Sequence, residues 1–330
     1  MTALPVYFYL PCLKSQFERL PRLLEEYSTW QVTETEFSPF IGRYHWVLQT
    51  YLQLLAAGAR VELVRELPAE GIVISHVECI EYGFRPSPKM MLVSLLVDKD
   101  IPSPHAAMHV THNPVQRLPL FLRQHYMPPW SQIGLIPRRA ARGARFETVA
   151  FVGYPENLHP ALACEGFARS LGNFGLRLVV PPPAQWHDFS EIDVVLAIRT
   201  FGCAERHLNK PALKLYNAWL ARVPAVLGFE SAYRIEGQSG VNYLEATNAD
   251  EVLHALRQLR DQPQLRASLV FEGVKQITAL SESHLRARWI DLLTARLLPL
   301  YSRWSRNPLF RISFRIAGAV RERLLWRWPT

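Results

Sequence analysis

The chain is poor in the patterns that would place it at once in several large function classes. Its four cysteines, Cys12, Cys79, Cys164 and Cys203, are scattered over 330 residues with no CxxC pair. Such spacing suits reduced thiols in a cytosolic protein better than a disulfide frame or a zinc site. No apolar run reaches the roughly 18–20 residues of a membrane span; the longest, MMLVSLLV, is the size of a strand. The apolar start, ALPVYFYLPC, has no basic residue ahead of it and no small-residue cleavage site, and prolines bracket it. It reads as a first strand and not as a signal peptide. No GxGxxG follows a predicted strand, which disfavours an NAD enzyme. No finger, RRM or helix-turn-helix signature accompanies the basic residues, so a nucleic-acid partner is not expected.

Hydrophobic residues make up 49% of the chain and charged residues 20%, the balance of a folded protein with real cores. The length allows two domains. The net charge of +8 is concentrated. Residues 301–330 hold seven arginines and one acid, Glu322, a net +6, so the body is nearly neutral. A second basic knot, PRRAARGAR, spans 137–145.

Short apolar runs alternating with helical patterns predict an α/β protein with parallel sheets. In the first half, strands are expected at 6–10, 59–67, 71–76, 89–100 and 106–114, with helices at 14–26 and 43–58, the latter ending at Gly58. The stretch 124–145 contains three prolines and two glycines with almost no periodicity, the composition of a connection between domains. Beyond it, strands are expected at 147–153, 176–180, 193–199, 224–228 and 241–246. Helices are expected at 159–172, 211–222, 248–260 and 263–280. The expected division is an N-terminal domain 1–124, a linker 125–146, a C-terminal domain 147–300 and a basic tail 301–330. Two successive βα series imply two Rossmann-like domains facing a cleft, followed by C-terminal helices.

Ligands of open parallel sheets bind outside the carboxyl ends of the strands. In the second half that rule selects Gly153 with Asn157, Arg199, and Glu230 with Ser231. Lys210 and Lys214 open the helix between the last two strands. Three cations and a helix start on one edge would suit a diphosphate. No cofactor or metal is expected there.

The segment KPALKLYNAWLARVPAVLGFESAYR (210–234) resembles the donor half of glycosyltransferases with the GT-B fold, in which a Lys-containing helix start and a VP-apolar-apolar-G strand precede the donor loop. NADEVLHALRQLRDQPQLRASLVFEG (248–273) is similar to the paired helices that follow. The likeness covers roughly 147–280 and implies a group 1/4-like donor domain that binds a nucleotide sugar and passes the sugar to a glycan or lipid-linked hydroxyl. One departure stands out. Where many retaining members carry two glutamates separated by seven residues, this chain has Asn209 and Asn217, which leaves Glu230 as the nearby carboxylate for ribose or sugar hydroxyls. The missing acids also keep open a non-catalytic protein of the same fold that binds a sugar nucleotide or a partner.

In this reading the first half holds the acceptor and the base. His76, after GIVIS, is the first candidate, with His45 and His112 behind it, because imidazole titrates near neutral pH. Asp98 and Asp100 form a DxD that reads as a turn. In the tail, helical spacing puts Arg311, Arg315, Gly318 and Glu322 on one face, with Leu309, Ile316, Val320 and Leu324 roughly opposite. Trp304, Trp326 and Trp328 flank it. That pattern suits an anionic membrane surface at the inner face of a membrane, or a helix packed back on the first domain.

Overall fold

The computed structural model describes residues 6–34, 43–204 and 206–325. Contacts divide the chain into two compact units. Unit 1 comprises 1–130, 209–211 and 282–330; unit 2 comprises 131–208 and 212–281. The expected division was different, and the reason lies in what the last helices bury.

Unit 1 begins β1 (Val6–Tyr9), α1 (Lys14–Glu18), α2 (Glu26–Thr33), then a π turn (Tyr44–Leu48) running into α3 (Gln49–Ala56). The single helix expected at 14–26 is interrupted because Pro21 can neither donate its ladder hydrogen bond nor leave Leu20 helical. The strands are β2 (Val61–Val64), β3 (Glu70–His76), β4 (Lys89–Leu96), β5 (Met108–Thr111) and β6 (Gln124–Tyr126), all parallel, in the order β2-β1-β3-β4-β5-β6.

Unit 2 runs β7 (Thr148–Ala150), α4 (Glu165–Gly172), β8 (Arg177–Val179), β9 (Val194–Ala197), α5 (Leu213–Ala221), β10 (Ala225–Leu227), α6 (Ser231–Glu236), β11 (Leu244–Glu245), α7 (Ala249–Asp261) and α8 (Pro263–Thr278). Its parallel sheet has the order β11-β10-β9-β7-β8. The chain returns to unit 1 as α9 (Glu282–Asp291), a π turn, α10 (Leu298–Arg306) and α11 (Pro308–Leu325).

These last helices are part of the first unit's body. Trp289 is fully buried. The Tyr301 hydroxyl accepts from Gly71 N at 2.9 Å and donates to Lys89 O at 3.0 Å. Trp304 donates its indole N–H to Pro88 O at 2.9 Å. On α11 the inward face is Phe314, Gly318 and Leu325. Glu322 reaches Arg85 and His105, each at 3.1 Å. Trp326 and Trp328 lie outside the described residues.

The two sheets share one topology. In each, the second strand lies outside the first and the chain then crosses to the other side, so strand order reverses between β1 and β3 and again between β7 and β9. The two α/β units with C-terminal helices agree with the expected fold class. The basic knot at 137–145 has a structural role. Arg138 and Arg142 clamp the fully buried Asp193 carboxylate, which also accepts from Glu147 N and Thr148 N at 2.9 Å. Burial alone would raise the Asp193 pKa, but these bonds hold it below the ordinary value.

Candidate functional site

In unit 2 the switch point lies at the carboxyl ends of β7 and β9, the place where open sheets of this type receive ligands. Phe151, Val152 and Gly153 leave β7 buried, and Ile198 and Arg199 leave β9. His159 N donates to Ile198 O at 2.8 Å, which ties the β7 loop to the end of β9. Lys214, the second residue of α5, points back at the end of β7. Its Nζ lies 5.3 Å from the Phe151 ring centroid and 3.0 Å from where a Cβ on Gly153 would stand. Gly153 therefore leaves the space that the ammonium uses. Ala212, at the N-cap of α5, gives no side-chain cap. The first-turn amides of this nine-residue helix and the Lys214 charge thus favour an anion together.

The other expected residues separate in role. Arg199 and Glu230 face each other: Nη1 lies 2.5 Å from both carboxylate oxygens, with the side chains 16% and 2% exposed. Burial opposes charge on Arg199, but Glu230 outweighs it and pushes the pKa up. Tyr233 is buried against the pair, and desolvation followed by the Glu230 charge raises its pKa. Two buried opposite charges must satisfy each other. Arg199 and Glu230 thus meet each other in this structure, where the sequence suggested a diphosphate contact for the one and a ribose or sugar contact for the other. Ser231 begins α6, its N donating to Arg206 O at 2.9 Å. Asn157 closes a 3-10 turn, its N donating to Tyr154 O at 2.9 Å. Asn217 is structural: its Oδ1 accepts from Gln132 N at 3.1 Å.

Lys210 belongs to unit 1. There Asn209–Pro211 crosses the carboxyl ends of β4 and β5. Asp98 N donates to Asn209 O at 3.1 Å, and the Asn113 amide donates to Lys210 O at 2.9 Å. Lys210 Nζ lies 3.2 Å from Asp98 Oδ1, and the Asn209 amide donates to Asp100 Oδ2 at 2.9 Å. Asp98 holds φ of +58°, a left-handed conformation that Asp and Asn tolerate better than most residues. Beside it a cavity of about 450 Å³ is lined by Glu78, Tyr82, Asp98, Lys99, Asp100 and Ser103, among others. Sequence reasoning read this DxD as a turn. The signal it lacked was the Asn209–Lys210 segment, over 100 residues away, which organises both carboxylates.

His76 does not line that cavity. It is 1% exposed, its Nε2 meets Val97 O at 3.2 Å, and its Nδ1 accepts from Glu78 N at 3.3 Å. Burial lowers its pKa. Both ring nitrogens thus meet backbone groups in this structure. His45 and His112 flank Trp46, edge-on at 4.5 Å and stacked at 4.8 Å. Burial pushes them down to about 4 and about 3. Among the described residues no group of three or more His, Cys, Asp or Glu side chains could hold a metal ion.

The sequence matches no protein-family model and no curated protein. Solved structures similar to it include S. aureus TarM in complex with UDP and an α-GlcNAc-glycerol (TM-score 0.49, 10% identity, 74% of this chain and 59% of that one). Anabaena HepE in complex with UDP and glucose is another (0.49, 11%, 88% and 100%). A third is sucrose-phosphate synthase from Thermosynechococcus elongatus (0.46, 12%, 85% and 81%). The chain thus spans less than two thirds of TarM. These neighbours are GT-B glycosyltransferases, the group the sequence resembles. Similarity this remote assigns no residue a role.

Proposed function

We propose that the protein is a glycosyltransferase that takes a nucleotide-activated sugar on unit 2 and transfers the sugar to an acceptor hydroxyl, on a glycan or a lipid-linked compound. The observation that carries this reading is Lys214 turned onto Gly153 at the β7/β9 switch point, beside the uncapped start of α5. A diphosphate leaving group gains negative charge as the anomeric C–O bond breaks. A preplaced ammonium with helix N-terminal amides stabilises that charge without reorganising.

Unit 1 supplies the acceptor side. The cavity at the end of β4 is mainly apolar, and the carboxylates that also line it, Asp98 and Asp100 among them, can accept the O–H donors of an acceptor. Asp98 replaces His76 as the proposed base: the acceptor oxygen gives its proton to the carboxylate and attacks the anomeric carbon, and the diphosphate departs with the bonding electrons. Lys214 is the cation offered to that leaving group, so the reaction is proposed to be metal-independent.

The test is release of nucleoside diphosphate from sugar nucleotides in the presence of alkyl glycosides and polyprenyl-linked glycans. Lys214→Met and Asp98→Asn are each expected to slow release about 10²-fold or more. Asn tolerates the left-handed position 98, so the fold is kept. Donor binding with no acceptor-dependent release would favour the non-catalytic alternative. Full activity in Asp98→Asn would remove Asp98 from the reaction.

A further inference from the structure

The helix α11 packs on unit 1 by a side that mixes apolar and charged residues. Phe314, Gly318 and Leu325 turn inward, Arg321 lies over the Phe314 ring at 4.6 Å, and Glu322 bonds Arg85 and His105. Gly318 allows that seat, since a Cβ there would stand 2.4 Å from His105 Nδ1. The opposite side of α11 is left apolar and open. Leu309, Ile312, Ile316, Val320 and Leu324 are 77, 55, 62, 51 and 48% exposed. At 100° per residue all five fall within about 120° of one another, a stripe roughly 22 Å long. A helix in water ordinarily keeps its solvent side polar and charged.

Charge identifies the occupant. Arg315 and Arg323 are exposed on or beside the stripe, and Arg306 is exposed just before the helix. The segment 301–330 carries net +6. Burial, then the charge of Arg123, lowers the Arg321 pKa, which puts two arginines near each other at this edge of unit 1. Arg123 ends the loop RLPLFLR, whose Leu120 and Phe121 are also exposed, at 104% and 40%. An apolar stripe bordered by arginines matches the boundary of an anionic bilayer, with acyl chains for the leucines and isoleucines and phosphates for the guanidinium groups. A water-soluble acidic protein would satisfy the arginines and leave the stripe wet. Among the described residues no helix is long and apolar enough to cross a membrane, so the contact is interfacial.

We propose that α11, seated on unit 1, is a membrane-docking surface that lays its Leu309–Leu324 stripe into the headgroup layer of an anionic lipid bilayer. This is independent of the donor site and does not rest on the transferase reading.

Co-flotation of the full-length protein with vesicles tests it, using phosphatidylcholine alone and phosphatidylcholine with 30% phosphatidylglycerol. The wild type is expected to float with the anionic vesicles, at least tenfold less with the neutral ones, and less in high salt because surface charges are screened. Ile316→Glu with Val320→Glu, both at exposed positions, is expected to abolish flotation while circular dichroism and thermal midpoint stay unchanged. Replacing Arg315 and Arg323 by Gln is expected to weaken it several-fold. Failure of the wild type to float, or flotation of the Glu variant at wild-type level, would overturn the proposal. So would a wild-type dimer that the Glu variant converts to monomer without lipid, since a second copy would then cover the stripe.

Discussion

Arg199 and Lys214 carry the same charge near the same sheet edge, and burial gives them different work. Arg199 is enclosed and must be neutralised by Glu230. Lys214 is half-buried, with its ammonium in the space that Gly153 leaves at the end of β7. The sequence placed both at strand ends, because strand ends are legible from apolar runs. It could not show that Glu230, 31 residues on, is aimed at Arg199, since side-chain pairing across a fold leaves no local pattern. The histidines illustrate the same limit. His76 and His112 both follow strands, but being at a strand end does not make a side chain accessible. His112 gives a testable consequence. Stacked on Trp46 and 2% exposed, it has its pKa pushed down to about 3 by burial, against 6.5 for an exposed imidazole. Below about pH 6.5 the unfolded chain therefore binds a proton that the folded chain refuses, and stability falls as pH drops. Each pH unit between 6 and 4 should remove on the order of 1 kcal/mol through this group. Urea unfolding of His112→Asn should show a shallower pH slope over that range, and equal slopes would contradict a neutral buried His112.

At the scale of elements, what the sequence showed depended on length and pattern. GIVISH and KMMLVSLLV announce β3 and β4 because both faces of a central parallel strand are buried. β6 is three polar residues, Gln124–Tyr126, that form a strand only because β5 offers its edge, pairing His109 with Gln124. Nothing in those three residues predicts it. α6 is similarly short, and α2 has too little amphipathic contrast to stand out. Helix packing was legible only in part: α7 and α8 were expected as a pair of helices, but the close point between α8 and α5 was not. Gly273 of α8 meets Trp219 of α5, and a Cβ there would lie 2.2 Å from the indole Cδ1. Trp219 is also fixed by its N–H to Asn242 O at 2.9 Å. Gly273→Ala should therefore destabilise the protein by about 1–3 kcal/mol in urea unfolding, because the rigid ring has nowhere to move. A neutral substitution would show that α8 can lift away from α5.

On the scale of the whole molecule, the chain passes from unit 1 to unit 2 and back, leaving three residues of the KP segment and all the C-terminal helices with unit 1. Composition located the proline-rich stretch between units, while the return after Ser281 depends on Tyr301 and Trp304 finding partners more than 200 residues earlier. The diphosphate site assigned to unit 2 is the central claim, and Lys214 is its test. Calorimetric titration of the full-length protein with uridine, guanosine, adenosine and thymidine diphosphates and their sugars addresses it directly. One nucleotide series should bind, and Lys214→Met should weaken its Kd about 10- to 100-fold, or 1.4–2.8 kcal/mol. If none binds the folded protein, or if Lys214→Met binds as the wild type does, unit 2 does not hold a diphosphate at Lys214.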